Sequence, residues 1–196
     1  DGLSDLVIGN TGTLVDSSGF SSVEIRYGTG TGFNNNPDHS YQSISPNTLF
    51  GYQVSIINDL NNDGFDELFI SEPYNTTAPF NSGDVWIFYG NSNGVENQPD
   101  IRLKGNANDL FGLNFASAGD TNSDGFNDLL ITRKNGFNQG KVELILGSSD
   151  TIDGTSYVVA TGPADFGQTI SNPGDSDGDG LLEYMFNSQI TDQNQN

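Results

Sequence analysis

One nine-residue acidic pattern occurs three times in this chain, each copy lying between short apolar stretches. The copies are Asp59-Leu60-Asn61-Asn62-Asp63-Gly64-Phe65-Asp66-Glu67, Asp120-Thr121-Asn122-Ser123-Asp124-Gly125-Phe126-Asn127-Asp128 and Asp175-Ser176-Asp177-Gly178-Asp179-Gly180-Leu181-Leu182-Glu183. Oxygen-bearing side chains fill positions 1, 3, 5 and 9, and glycine always fills position 6. Alternating oxygens can converge on a hard cation such as Ca2+, while the glycine lets the backbone turn sharply. Position 7 is Phe65, Phe126 or Leu181, whose side chains cannot ligate, so the donor expected there is the backbone carbonyl. The expected ligand sets are therefore Asp59, Asn61, Asp63, Phe65 and Glu67; Asp120, Asn122, Asp124, Phe126 and Asp128; and Asp175, Asp177, Asp179, Leu181 and Glu183. A truncated copy at Asp1-Gly2-Leu3-Ser4-Asp5 matches positions 5 to 9 and keeps two carboxylates, Asp1 and Asp5. Ordinary Asp/Asn/Gly turns produce isolated stretches of this kind. Three copies agreeing at four ligand positions and a glycine outweigh that origin.

The EF-hand loop shares the first six positions, but it needs a bidentate Glu at position 12 and a helix on each side. Position 12 here is Ile70, Ile131 or Phe186. The stretches after the loops, Leu68-Phe69-Ile70, Leu129-Leu130-Ile131 and Tyr184-Met185-Phe186, are short apolar runs of the kind buried strands show. The EF-hand is excluded on both counts.

A longer repeat surrounds each loop. Phe50-Gly51, Phe111-Gly112 and Phe166-Gly167 each stand nine residues before the first loop aspartate, at separations of 61 and 55 residues. After each loop come a strand, a variable turn and a second strand ending in glycine: Asp84 to Gly90, Lys141 to Gly147 and, earlier in the chain, Val23 to Gly28. A further short strand follows at Ile101–Leu103 and Tyr157–Val159. Four strands per repeat predict an all-β fold of β-propeller-type blades, each of four antiparallel strands. The expected division of one repeat domain, 1–196, is a partial blade at 1–48, blades at 49–109 and 110–164, and a partial blade at 165–196.

These residues carry a family resemblance. The order Phe-Gly, strand, acidic loop with Asp-Gly, apolar strand and Gly-ended strand resembles the FG-GAP repeats of integrin α-subunit propellers and their bacterial relatives. Phe111 to Gly147 matches most closely, with Ala118-Gly119-Asp120 before the loop and Asp128-Leu129-Leu130-Ile131 after it. Phe50 to Gly90 matches nearly as well, with Ser71-Glu72-Pro73 where the family usually has Gly-Ala-Pro. Arg133-Lys134 departs from that tripeptide in the next copy, and the last copy reaches Asn196 without its outer strands. The resemblance implies calcium-bearing propeller blades and no particular ligand.

Charge narrows the partners. There are 26 acidic residues against 6 basic ones, a net charge of −20, and three bound Ca2+ would cancel six of those charges. Duplex nucleic acid and anionic membrane surfaces both call for basic patches, so neither is an expected partner. The 21 aromatic residues (13 Phe, 7 Tyr, 1 Trp) and the regular β-patterning argue for a folded chain rather than an acidic disordered one. Cysteine is absent, and metal can staple a fold where disulfides do not. Exposed oxygen sites of this kind fill where Ca2+ is plentiful, which points to an extracellular or cell-surface setting. No apolar run reaches membrane-spanning length. Asn75-Thr76-Thr77 is a glycosylation sequon, a pattern that also arises by chance.

Propellers close with about 4 to 8 blades, and about three are read here, so the array is expected to be open-ended. Half a loop at Asp1–Asp5 and an unfinished blade after residue 184 create an expectation of continuation into another part of a parent chain or another copy, the latter giving a filament. Open blade edges, with free N–H and C=O groups, would recruit a protein partner or self-association.

Reactive groups are sparse. The single histidine, His39, lies in the polar stretch Asn34–Ser40 and is expected to be an exposed loop residue. Asp66 and Glu67 are explained by the loop register rather than by paired-carboxylate catalysis. Zinc sites favour Cys and His. The expected role is a non-catalytic calcium-stabilised scaffold or adhesion module. The alternative is a glycan-binding surface, or an accessory domain of an enzyme, built on Trp86, Phe88, Tyr89, Tyr74 and Phe80. Alternation puts Trp86 and Phe88 on one strand face, where a neighbouring blade would bury them.

Overall fold

A computed structural model describes residues 2–11, 19–57, 59–75, 79–135, 139–149, 152, 154–178 and 182–187. Asp1, Asp179 and Leu181 lie outside the described residues. All regular structure among the described residues is β.

The first sheet joins β1 (Leu6–Asn10), β2 (Ser22–Arg26) and β5 (His39–Gln42) in that order, with a two-residue hairpin, β3 (Gly28–Thr29) and β4 (Gly32–Phe33), beside it. The second sheet runs β6 (Val54–Ile57), β7 (Glu67–Glu72), β8 (Asp84–Phe88) and β11 (Ile101–Lys104), all antiparallel. The hairpin of β9 (Gly90–Asn91) and β10 (Gly94–Val95) extends from it. The third sheet runs β12 (Phe115–Gly119), β13 (Asp128–Asn135), β14 (Gln139–Ile145) and β15 (Ser156–Gly162). The last pairs β16 (Ile170–Gly174) with β17 (Glu183–Phe186). These are propeller-type blades, and each acidic loop joins the first two strands of one: β6 to β7, β12 to β13, and β16 to β17.

Stacking the blades explains why the apolar runs are continuous rather than alternating. Every residue of β7 is buried. Leu68 and Ile70 pack with Val23, Ile25, Tyr41, Phe50 and Phe88 between the first two sheets. Phe69 points the other way, into a cluster with Val85, Ile87, Phe115, Leu129, Ile131 and Ile145 between the second and third. Leu130, Ala118 and Val142 then meet Ile170, Tyr184 and Phe186 of the last sheet. A strand with a blade on either side is apolar at successive residues because both of its faces are buried. Removing a ring such as Phe69, with 0 % exposure, should cost about 3–5 kcal/mol.

The Phe-Gly pairs set the spacing between blades. Gly51 and Gly112 have φ of 82° and 78°, a conformation L side chains rarely adopt. A Cβ on Gly112 would lie 2.3 Å from Val85 Cγ2 in the preceding blade, and one on Gly51 would lie 2.8 Å from Val23 Cγ2. Phe50 and Phe111 are buried, whereas Phe166 is half-buried against the last cluster.

Candidate metal centre

The first two loops fold through the same local hydrogen bonds. In the first, the Asp63 amide donates to both Asp59 Oδ1 and Asn61 Oδ1 at 3.0 Å. Gly64 N–H donates to Asp59 Oδ2 at 2.8 Å, and Phe65 N–H to Asp63 Oδ1 at 2.9 Å. In the second, Asp124 N–H donates to Asp120 Oδ1 and Asn122 Oδ1 at 3.0 Å, Gly125 N–H to Asp120 Oδ2 at 2.9 Å, and Phe126 N–H to Asp124 Oδ1 at 3.0 Å. The side chains at positions 1, 3 and 5 thus wrap one turn from inside. Gly64 and Gly125 share a φ of 94°, which explains the invariant glycine.

Position 4 also adopts a left-handed backbone: Asn62 at 58°, Ser123 at 61° and, in the third loop, Gly178 at 80°. Sequence reasoning passed over this position. The Asn/Ser/Gly set was its signal, since short polar residues and glycine tolerate that region best.

Position 9 divides the loops. Asp128 is fully buried, and both its oxygens are engaged: Oδ2 accepts from the Thr121 amide and hydroxyl, and Oδ1 accepts from Gly147 N–H at 2.9 Å. Asp5 does likewise, taking Gly28 N–H on Oδ1 at 2.9 Å. Glu67 is one methylene longer. Its Oε2 accepts from Leu60 N–H at 2.6 Å, while Oε1 is buried with no hydrogen-bond partner. Asp59, Asp63 and Glu67 each bring a carboxylate oxygen within 4.8 Å of the others. In the third loop Asp175, Asp177 and Glu183 do the same, with Glu183 Oε2 also accepting from Ser176. Asp120, Asp124 and Asp128 form no such triad among the described residues. Phe65 and Phe126 have no ligating side-chain atom, and Phe65 is 40 % exposed.

Burial raises the Glu67 carboxyl to about 7, opposed by the Leu60 N–H and reinforced by Asp59, Asp63 and Asp66. A buried, half-satisfied carboxylate facing two others is a poor arrangement by itself. It suits a hard divalent cation, which would complete Oε1 and offset the crowded charge. The donors are all oxygens, the type that hard divalent cations take.

Comparison with known proteins agrees with this geometry. The FG-GAP repeat family matches residues 50–88. Integrin alpha-6 of Gallus gallus is 32% identical over 118 residues, 59% of this chain and 11% of that protein. Integrin alpha-6 of Homo sapiens is 29% identical over 143 residues, 72% of this chain and 12% of that protein. Integrin alpha-PS5 of Drosophila melanogaster is 30% identical over 95 residues, 45% of this chain and 9% of that protein. Residues 50–88 thus match an FG-GAP repeat, and the chain is similar to integrin alpha chains. It spans about a tenth of the length of these relatives.

Several other candidates from the sequence take structural places within the sheets. His39 is the first residue of β5, not a turn residue. Its ring lies between Tyr27 (5.7 Å, edge-on) and Tyr41 (6.5 Å, stacked). The extended alternation of β5 captured it, a pairing the polar run Asn34–Asp38 concealed. Phe88 is buried, and Trp86 is half-buried, with Nε1 donating to Glu72 Oε2 at 3.0 Å and the Arg102 guanidinium 4.0 Å above its ring. Asn75 is buried and donates from Nδ2 to Ser82 Oγ at 2.5 Å, so the sequon's asparagine holds the turn before β8. Arg133 binds Asp109 and Glu143 at 3.0 and 2.7 Å. The departure from Gly-Ala-Pro thus carries its own ion pairs.

Proposed function

We propose that this chain is a non-catalytic, calcium-stabilised FG-GAP module that works outside the cell as a scaffold or adhesion surface for a protein partner. The observation that carries the calcium reading is the convergence of carboxylates from Asp59, Asp63 and Glu67, the last of which keeps Oε1 buried and unpartnered. The likeness to integrin alpha chains supports adhesion or scaffolding, and with it the cell-surface setting. Each cation would pin the turn between the first two strands of a blade and neutralise its carboxylates. In this reading Asp59, Asn61, Asp63 and Glu67 hold one ion, and Asp175, Asp177 and Glu183 belong to another. Asp120, Asn122 and Asp124 hold a third that Asp128 joins only by giving up a hydrogen bond. Self-association belongs to the same reading, through the exposed Leu6 and Ile8 of β1 and Met185 of β17. Light scattering in Ca2+ would report it.

Thermal melts with Ca2+ and with EDTA test the core of the proposal. Each site held at a hundred times its dissociation constant adds about 2.7 kcal/mol, so the Ca2+ melt should lie well above the EDTA melt. Superimposable curves would remove the calcium reading. A glycan-binding role is the second reading, favoured by the exposed Phe80 and the Tyr52–Tyr74 ring contact at 6.3 Å. Retention on a glycan array that Phe80→Ala abolishes would replace the adhesion reading with it.

A further inference from the structure

We propose that Asn127 couples the first two cation loops, so that filling one raises the affinity of the other. The proposal rests on the calcium reading above. Position 8 does not ligate, yet its side chain lies at the junction between one loop and its neighbour. Asn127 Nδ2 donates to the Asp59 backbone carbonyl at 2.9 Å, across the gap between the second and third blades. Beside it, Ser148 N–H donates to the Leu60 carbonyl at 3.2 Å. Asp59 and Leu60 are therefore held by both carbonyls from the third blade, while Leu60 N–H is held by Glu67 Oε2 at 2.6 Å. On the other side, the residue before Ser148 donates to the second loop: Gly147 N–H meets Asp128 Oδ1 at 2.9 Å.

A cation drawing Asp59 and Glu67 together fixes the orientation of these peptides. That orientation decides whether two acceptors face Asn127 and Ser148. Ordering Asn127 in turn orders the stretch running from Phe126 into Asp128. Each site thereby biases an arrangement the other also needs, which is the physical content of a coupling free energy. The other copies of position 8 lack the link. Asp66 accepts from its own loop, at Asp59 N–H and 3.3 Å. Leu182 has no donor, and its Cδ1 lies 2.4 Å from where a Cβ on Gly119 would stand. The second and third loops thus meet through an apolar contact.

Gly64 and Gly125 amides each bond the first aspartate of their own loop, so their NMR resonances report the two loops separately during a CaCl2 titration. Asp124→Ala disables the second site. In an otherwise native chain it should weaken Ca2+ binding at the first loop by about fivefold. With Asn127→Leu, the residue type of the third loop, the same Asp124→Ala change should alter the first loop by less than about twofold. Asn127→Asp, which keeps the shape and loses the donor, should uncouple the loops in the same way. This guards against a packing defect of the leucine. Equal weakening with and without Asn127, or none in either background, would overturn the coupling while leaving the calcium reading standing. If neither glycine moved with Ca2+, the calcium reading and the coupling would fall together.

Discussion

The first and second acidic loops agree to within 0.2 Å over the hydrogen bonds within their first seven residues and part company after them, most sharply at the ninth. Asp128 is saturated by the Thr121 amide and hydroxyl and the Gly147 amide. Glu67 keeps an oxygen bare in a buried site shared with Asp59 and Asp63. One methylene separates a carboxylate that completes the protein's own hydrogen bonding from one left with a buried, unpartnered oxygen. A ligand pattern therefore specifies the turn more firmly than it specifies how ready each turn is for metal.

Removing the charge at position 9 should accordingly act in opposite directions when calcium is absent. Asp128→Asn replaces one acceptor by an NH2 group among donors, which should destabilise the chain by about 1–3 kcal/mol. Glu67→Gln keeps an acceptor for Leu60 N–H and turns an NH2 toward Asp59 and Asp63, so it should stabilise by about 1 kcal/mol. Urea unfolding in EDTA gives both values. Shifts of the same sign would mean that the two carboxylates play one role. In Ca2+ the Glu67→Gln variant should lose its advantage, because the first loop then lacks a charged ligand.

Acidity offers a second separation. Burial, then the neighbouring Asp59, Asp63 and Asp66, push Glu67 up to about 7. The native chain holds a proton on Glu67 that the unfolded chain has released between its ordinary value near 4.5 and about 7. Stability from this group is present below that window and is lost as pH rises through it. In EDTA, then, the native chain should lose more urea resistance between pH 5 and pH 7.5 than Glu67→Gln does. Calcium affinity at the Gly64 amide should climb over the same range, since the cation displaces the proton. A wild-type pH profile superimposable on that of Glu67→Gln would show that Glu67 is ordinarily ionised.

Much of the molecule is legible in the sequence because the repeat imposes two periods at once. The spacing of Phe-Gly to loop fixes where blades begin, and apolar runs such as Leu68–Ile70 reveal strands with a blade on each side. What escaped were interactions between repeats. Nothing in the pattern distinguished Asp128 from Glu67, because their difference lies in whether the side chain reaches back to Gly147. Asn127 carries no signal in the sequence, since its partner is a backbone carbonyl 68 residues away. His39 read as a loop residue because the polar run before it hides the start of β5, where Tyr41 of the same strand and Tyr27, just past β2, flank its ring.

The smallest expected effect concerns position 4, where the first two loops differ in residue and agree in shape. Asn62 and Ser123 both hold left-handed φ values, and both are exposed. Asparagine is tolerated there because its short polar side chain can bond locally, whereas serine bears the ordinary steric penalty of roughly 1 kcal/mol. Glycine removes that penalty but increases the freedom of the unfolded chain, a loss of roughly 0.5–1 kcal/mol. The two terms nearly cancel. Ser123→Gly should raise the urea midpoint by the equivalent of a few tenths of a kcal/mol, and Asn62→Gly should leave it unchanged or slightly lower. Gly178 at the same position of the third loop is the natural precedent. A loss near 1 kcal/mol from Ser123→Gly would mean that the serine is held by something other than its backbone. The likeness between the two turns would then end at position 4 rather than at position 9.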